Sequence, residues 1–223
     1  LYRDVFPIDT LLYLTSGGYT DMGSTGGMYL SQNGGLSFTN INVSYGEFIN
    51  KMSFVNSQTG WVTTRYTTDV PYSKCKIFKT TNSGQNWTMQ FRDSIANIYT
   101  TSNINIQFLN QNTGYGLYRR ESSNDIVRLL KTSNGGATWD STTLPNNKSY
   151  AMFFADVSTG WICDGSYPDS IVILRTTNSG ANWHVQKKGN YYLNAIHFVN
   201  NLTGWAVGYN GAILKTVTGG VTG

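Results

Sequence analysis

One eight-residue frame recurs along the chain and limits what the chain can fold into. The frame is a hydroxyl residue, any residue, Asn, any residue, Gly, any two residues and an aromatic residue. Three clear copies occupy residues 80–87, 132–139 and 176–183, a looser copy occupies residues 31–38, and a decayed copy begins at Thr216 and keeps Gly220. Because copies at a roughly constant spacing of this size are typical of repeat proteins, we expect a repeat architecture.

The frame is typical of a tight turn between two strands. Its Asn side chain can accept hydrogen bonds from backbone N–H groups just ahead of it, and its Gly can adopt the positive φ that such a turn needs. The aromatic residue is expected to fold back over the turn. The structural residues of these turns are predicted to be Asn33, Gly35, Asn82, Gly84, Trp87, Asn134, Gly136, Trp139, Asn178, Gly180 and Trp183.

A second motif precedes each turn frame. It reads Phe, four residues, Thr, Gly and an aromatic residue, at residues 54–61, 108–115, 154–161 and 198–205, with a degenerate version at residues 6–13. Period-two alternation of apolar residues before it indicates a β-strand. All six tryptophans lie in one of the two motifs, and we expect them to be buried pegs between layers.

Each repeat therefore predicts a four-stranded antiparallel meander, with strands a to d. The second motif forms the a–b turn and the first forms the c–d turn. Because one such sheet cannot bury both faces alone, the units must stack, and radial stacking gives a β-propeller. We predict an all-β propeller with units at about residues 1–45, 46–97, 98–146, 147–190 and 191–223, the last of them incomplete. Such a chain would be a processed or partial one, closed by a segment outside these residues or continued into further blades.

The turn frame resembles the Asp box, or bacterial neuraminidase repeat. Its pairing with the Phe-x-x-x-x-Thr-Gly-Trp motif is most similar to the photosystem II assembly-factor-like propellers, and residues 196–220 match best. The resemblance implies a propeller with Asp-box turns. If it extends to function, it implies a partner protein that is being assembled. It does not specify an activity, because function depends on sites grafted onto the fold.

Charge and composition exclude some function classes. Only 13% of residues are charged, the net charge is +4, and there is no run of Lys or Arg, so nucleic-acid binding is not expected. No apolar run approaches the ~18 residues of a membrane span. The low charge and abundant Asn and Thr favour an extracellular, periplasmic or cell-surface bacterial protein. Cys75 and Cys163 are expected to be free, buried thiols rather than a disulfide.

The partner-binding surface is predicted on the face opposite the recurrent turns. There the b–c loops (residues 65–73, 119–125 and 164–170) and the d–a loops (residues 91–103, 141–148 and 185–192) vary, and variable loops on a rigid scaffold are expected to bind. Arg and Tyr are favoured at interfaces, although each of these residues is also explained as a solvated loop residue. The predicted contacts to a protein or glycan are Arg65, Tyr66, Arg92, Tyr118, Arg119, Arg120, Tyr167, Lys187 and Lys188.

The chain is predicted not to be an enzyme. A sialidase-like site needs three converging arginines, a Tyr–Glu pair and an acidic proton donor, whereas the chain has only Glu47 and Glu121 as glutamates and lacks a Phe/Tyr-Arg-Ile-Pro signature. His184 and His197 are too far apart in sequence to suggest a metal site, and no cofactor is expected. The leading hypothesis is a non-catalytic binding or assembly module. The alternatives are a self-associating structural subunit of an extracellular assembly and a sialidase-like hydrolase.

Overall fold

The chain is all-β in the part that the structure describes. The computed structural model describes residues 2–8, 11–16, 27–43, 47–66, 75–93, 101–121, 126–144, 149–164, 171–189 and 192–220. Apart from strands, these residues contain one short 3₁₀ turn, Tyr209–Gly211. No helix in them has the length and apolar character needed to cross a membrane.

The strands form five sheets within the described residues, and strands that are consecutive in the chain pair with each other. The first sheet contains β1 (Tyr2–Ile8), β2 (Leu11–Ser16), β3 (Gly27–Ser31) and β4 (Thr39–Ile41), and the second contains β5 (Glu47–Phe54), β6 (Gly60–Tyr66), β7 (Cys75–Thr80) and β8 (Thr88–Arg92). The third contains β9 (Thr101–Phe108), β10 (Gly114–Glu121), β11 (Ile126–Thr132) and β12 (Asp140–Thr143). The fourth contains β13 (Ser149–Phe154), β14 (Gly160–Asp164), β15 (Ile171–Thr176) and β16 (His184–Gly189), and the fifth contains β17 (Leu193–Phe198), β18 (Gly204–Gly208) and β19 (Ile213–Thr216).

This arrangement of meander sheets is that of β-propeller blades. Four sheets have the predicted four strands, and the fifth has three among the described residues, with β19 at its edge. The all-β prediction is confirmed, while a count of five blades stays a prediction. The chain forms two compact units, one of Leu1–Asn124 with Lys131–Asp140 and the other of Asp125–Leu130 with Ser141–Gly223.

The a–b turn is built in the same way in four sheets. In the second sheet, Asn56 Oδ1 accepts hydrogen bonds from the backbone N–H groups of Gln58 and Thr59, at 2.9 and 2.7 Å. Asn110, Asp156 and Asn200 do the same in the third, fourth and fifth sheets. Packing requires the glycine that follows this turn, because a Cβ added to Gly60 would clash with the ring of Phe54.

The c–d turn shows the hydrogen bonds expected for its frame. Thr80 Oγ1 accepts from the N–H of Gly84 at 2.9 Å, and Asn82 Oδ1 accepts from the N–H of Asn86 at 2.9 Å. Gly84 has a φ of +83°, a conformation that favours glycine. The aromatic residue closes the turn, since Trp87 Nε1 donates to the carbonyl of Gly84 at 3.0 Å.

Both turns of a sheet lie at the same end of it, as predicted. The N–H of Ser83 in the c–d turn donates to the carbonyl of Gln58 in the a–b turn, at 3.0 Å. Equivalent bonds join the two turns of the third, fourth and fifth sheets. We call this end of each sheet the turn end, and the opposite end, where strands a and c begin, the loop end.

Tryptophans of the a–b motif peg neighbouring sheets together inside each unit. In the first unit, Trp61 is fully buried, stacks on Phe108 with 3.5 Å between ring centroids, and donates from Nε1 to the carbonyl of Gly135. In the second unit, Trp161 is likewise buried and stacks on Phe198 at 3.6 Å. The predicted peg role is thus confirmed for these two tryptophans. Cys75 and Cys163 are both buried and neither forms a disulfide, also as predicted.

Candidate functional site

The predicted loop bounds were wrong, because the strands run further than the sequence suggested. β8 extends to Arg92, β10 to Glu121 and β16 to Gly189. The reason is ladder pairing: Arg119 and Arg120 lie opposite Asn103 and Ser102 of β9. The predicted partner-binding residues Arg92, Arg119, Arg120, Lys187 and Lys188 are therefore strand residues near the loop end, not loop residues.

Three of the predicted partner-binding residues fall wholly or partly outside the described residues. Tyr167 lies between β14 and β15, in residues 165–170 that are not described. Arg65 and Tyr66 belong to β6 by their backbone, opposite Phe48 and Glu47 of β5, but their side chains are outside the described part.

A buried hydrogen bond organises the loop end of the first unit. Tyr118 is 5% exposed and donates from its hydroxyl to Asp93 Oδ2 at 2.7 Å. Asp93 is itself buried, and its N–H donates to the carbonyl of Cys75 at 3.0 Å. Burial, and then Asp93, raise the pKa of the Tyr118 phenol far above its ordinary value. The Tyr118 side chain is thus engaged inside the protein rather than presented to a partner.

This bond brings two arginine-bearing strand ends together. Arg92 directly precedes Asp93, and Arg119 directly follows Tyr118. Each arginine is therefore next in sequence to one of the two residues that this 2.7 Å hydrogen bond joins. Arg92 is exposed, whereas Arg119 and Arg120 are half-buried. Lys76 lies opposite Arg92 in the ladder of β7 with β8, so the strand ends at this position are rich in positive charge.

The two lysines predicted to bind a partner belong to the other unit. Lys187 and Lys188 are exposed on β16, opposite Ile173 and Val172 of β15. In that unit, Lys187 lines an apolar cleft.

The carboxylates whose side chains are described show no catalytic pairing. Asp4 forms an ion pair with Lys51 at 3.3 Å and accepts from the N–H of Met52. Asp93 accepts from Tyr118, and Asp156 belongs to a turn. Asp140 is exposed on β12. Within the described part of the chain, no group of three or more His, Cys, Asp or Glu residues could hold a metal ion.

Sequence reasoning missed two features of these surfaces. One is the buried Asp93, which belongs to no motif, since nothing local signals that a residue 25 positions away would become its partner. The other is the cleft of about 280 Å³ between the fourth and fifth sheets, lined on its fifth-sheet side by Ile196, Phe198, Ala206 and Leu214.

Comparison with known proteins identifies the fold and no family. No protein-family profile matches the chain, and no curated protein matches it. Among solved structures, the PL25 ulvan lyase has a TM-score of 0.59 at 8% identity, over 97% of this chain and 64% of the lyase. The NanB sialidase from Streptococcus pneumoniae has a TM-score of 0.59 at 13% identity, over 88% of this chain and 36% of the sialidase.

A third similar structure is YCF48 bound to D1 peptide, at 15% identity over 97% of this chain and 77% of that one. Its TM-score of 0.46 is too low to carry an argument. The chain spans about a third of the sialidase and just under two thirds of the lyase. Similarities at such low identity show the β-propeller fold alone.

Proposed function

We propose that the chain is a non-catalytic binding module of an exported or cell-surface protein, and that it binds an acidic segment of a partner protein. The contact surface is the loop end of the second and third sheets, with Arg92, Arg119 and Arg120. The observation that carries the proposal is the buried hydrogen bond between Tyr118 and Asp93, which fixes the strand ends that bear these arginines. Asp-box turns and a five-bladed ring belong to the same proposal.

The geometry suits recognition of carboxylates. An arginine on a strand loses less backbone entropy on binding than one on a loose loop, because its backbone is already ordered. Its planar guanidinium also matches a carboxylate in a two-point contact. The one described carboxylate among these strand ends, Asp93, is buried and engaged by Tyr118. We propose that these arginines meet the carboxylates of an external partner at this end of the sheets.

The arrangement of carboxylates supports a non-catalytic role. Glycoside hydrolysis generally uses two carboxyl groups about 5–10 Å apart that flank the scissile bond. In the described part of this chain, Asp4 and Asp93 are each engaged by other groups, and Asp156 serves a turn. None of them is placed opposite a second free carboxylate.

A displayed library of random peptides tests the binding site. The wild-type chain is expected to enrich peptides with acidic residues. A chain with Arg92→Ser, Arg119→Ser and Arg120→Ser should bind the enriched peptides about tenfold or more weakly. Lys131→Ser, which removes a positive charge near the turn end of β11, serves as the matched control and should bind them normally. Enrichment of neutral peptides, or equal binding by the triple variant, would overturn the assignment.

A substrate panel tests the non-catalytic part separately. The chain is incubated with a fluorogenic sialoside and with xyloglucan, and released products are measured. We expect no release above buffer. Product formation that persists in highly purified protein would refute the non-catalytic role. It would not change the outcome of the peptide-binding test, which is measured separately.

A further inference from the structure

A cleft of about 460 Å³ lies between the first and second sheets, near their c–d turns. The first sheet lines it with Leu30 of β3, with residues of its c–d turn and with residues 39–42 along β4, and the second sheet lines it with the turn residues 83–85. Both sheets belong to the first unit and each has four strands, so the cleft does not arise at a missing strand. Its volume is in the range of about 300–1,000 Å³ that is usual for ligand pockets.

A leucine in the first sheet accounts for the open space. In the second to fifth sheets the residue directly before the c–d turn frame is basic: Lys79, Lys131, Arg175 and Lys215. Lys79 reaches the c–d turn of the next sheet, since a Cβ added to Gly135 would lie 2.7 Å from Lys79 Nζ. The first sheet has Leu30 at this position, and Leu30 packs into the core cluster with Met52 and Phe54 instead.

The walls of the cleft are fixed by contacts within and between the two sheets. A Cβ added to Gly84 would lie 3.1 Å from Ile41 Cδ1, so the turn of the second sheet packs directly on β4. In the turn of the first sheet, Asn33 Oδ1 accepts from the N–H of Ser37 at 2.9 Å. A site with walls that are already ordered loses little conformational entropy when a ligand binds.

Amide side chains dominate the polar part of the lining. They belong to Gln32, Asn40, Asn42 and Gln85, and all four residues are exposed. These side chains take no part in the hydrogen bonds of the two turns, which the serine, threonine and asparagine residues of the frames form. A carboxamide offers two donors and one acceptor. We call this site the amide cleft.

The lining points to an uncharged ligand with many hydroxyl groups. Among the described residues, no Asp, Glu, Lys or Arg side chain lines the amide cleft, and Leu30 and Ile41 supply an apolar part. Hydroxyl groups both donate and accept hydrogen bonds, so the hydroxyls of a sugar suit carboxamides while its C–H faces suit Leu30 and Ile41. A protein partner fits less well, because interface hot spots are enriched in Trp, Tyr and Arg, and none of these lines the described cleft.

We propose that the amide cleft binds a short neutral oligosaccharide. Asn40 and Asn42 of the first sheet and Gln85 of the second bind its hydroxyl groups from two sides, and Leu30 and Ile41 contact its C–H faces. The amide cleft is separate from the arginine-bearing strand ends, and this proposal does not depend on them.

An array of immobilised neutral and acidic oligosaccharides, probed with the intact labelled chain, finds the ligand. The neutral members are gluco-, manno- and galacto-oligosaccharides, and the acidic members are oligogalacturonides and sialylated glycans. We expect binding to at least one neutral class, followed as saturable binding by isothermal titration calorimetry. Binding should be equally strong at low and high salt, because salt weakens only interactions between charges.

Exposed variants test the residues without disturbing the core. The chain with Asn40→Ala and Gln85→Ala should bind the selected sugar about tenfold more weakly, since each change removes hydrogen bonds to it. Asn86→Ala is the matched control, because Asn86 is exposed in the same turn as Gln85 but lies outside the cleft. Leu30→Lys, which introduces the basic residue of the other sheets, should also abolish binding. If that variant does not fold, the exposed double variant decides the question.

Four results would overturn the proposal. They are the absence of binding to any neutral oligosaccharide, binding to acidic members alone, equal affinity of the Asn40→Ala, Gln85→Ala chain and the wild type, and concentration-dependent dimers that this double variant abolishes. The last result, measured by analytical ultracentrifugation, would show that a second copy occupies the cleft. Salt-independent binding that the double variant loses, and that the Arg92→Ser, Arg119→Ser, Arg120→Ser chain keeps, supports the proposal and is independent of the acidic-peptide test.

Discussion

Replacing Trp161 with Phe tests whether the a–b tryptophans stabilise the stack of sheets. Trp161 is fully buried, and its Nε1 donates to the carbonyl of Gly219 at 3.0 Å. The indole also stacks on Phe198 with an interplanar angle of 11°. Phe keeps an aromatic ring at this position but has no N–H group and is smaller.

The expected loss of stability has two parts. Gly219 is buried, so its carbonyl loses a partner in a place where water does not easily replace it, which costs about 1–3 kcal/mol. The smaller ring leaves a void that adds about 1 kcal/mol. The free energy of unfolding of the second unit should therefore fall by about 2–4 kcal/mol.

The chain supplies its own control in Trp205. Trp205 occupies the same motif position in the fifth sheet but is only half-buried, so Trp205→Phe should cost less than about 1 kcal/mol. Urea unfolding followed by far-UV circular dichroism gives both values. Equal losses for the two variants, or a loss below about 0.5 kcal/mol for Trp161→Phe, would refute the reasoning that the peg contacts hold the sheets together.

Other variants test the turns and the buried bond. Gly114→Ala places a Cβ 2.5 Å from Phe108 Cε1, so it should destabilise the first unit by about 1–3 kcal/mol in urea unfolding; a neutral result would mean that the ring moves freely. Partial burial raises the pKa of Asp156, but hydrogen bonds from Ser158, Thr159 and Asn201 outweigh it and lower the pKa to about 2. The stability linked to this carboxylate is therefore complete above pH 4 and is lost as the pH falls from about 4 to 2. Asp156→Asn, which introduces the residue found at this position in the second, third and fifth sheets, should lose less stability over that range while matching the wild type near pH 7; an unchanged acid profile would contradict this. Tyr118→Phe should cost about 1–3 kcal/mol at pH 7. Because burial and Asp93 raise the pKa of the phenol, the stability linked to it is complete below pH 10 and falls above it. The variant should therefore show a shallower loss of stability in alkali, and an identical alkaline profile would count against the buried bond.

The local motifs were predictable because each is completed within a few residues. The hydrogen bonds of Asn56 and Asn82 reach only two to four residues along the chain, so the sequence frame contains all the groups that form the turn. For Trp61, the sequence predicted burial between layers but not the stacking on Phe108. The same pair of motif positions stacks again in Trp161 and Phe198, because the repeat places equivalent residues at equivalent positions.

The loop end was less predictable because it depends on pairing between distant residues. Arg119 and Arg120 were predicted to begin a b–c loop, but β9 offers Asn103 and Ser102 as ladder partners and the strand continues. The buried hydroxyl of Tyr118 has its hydrogen-bond partner in Asp93, which no local pattern identifies.

Mapping where a bound acidic peptide contacts the chain tests the central claim most directly. The peptide is the strongest binder from the displayed library, and hydrogen exchange of the intact chain is measured with and without it. Exchange should slow at the loop end of the first unit, in residues 90–92 and 118–121, and should not change in the turn residues 80–87. Protection confined to the turn end, or to no part of the second and third sheets, would contradict it.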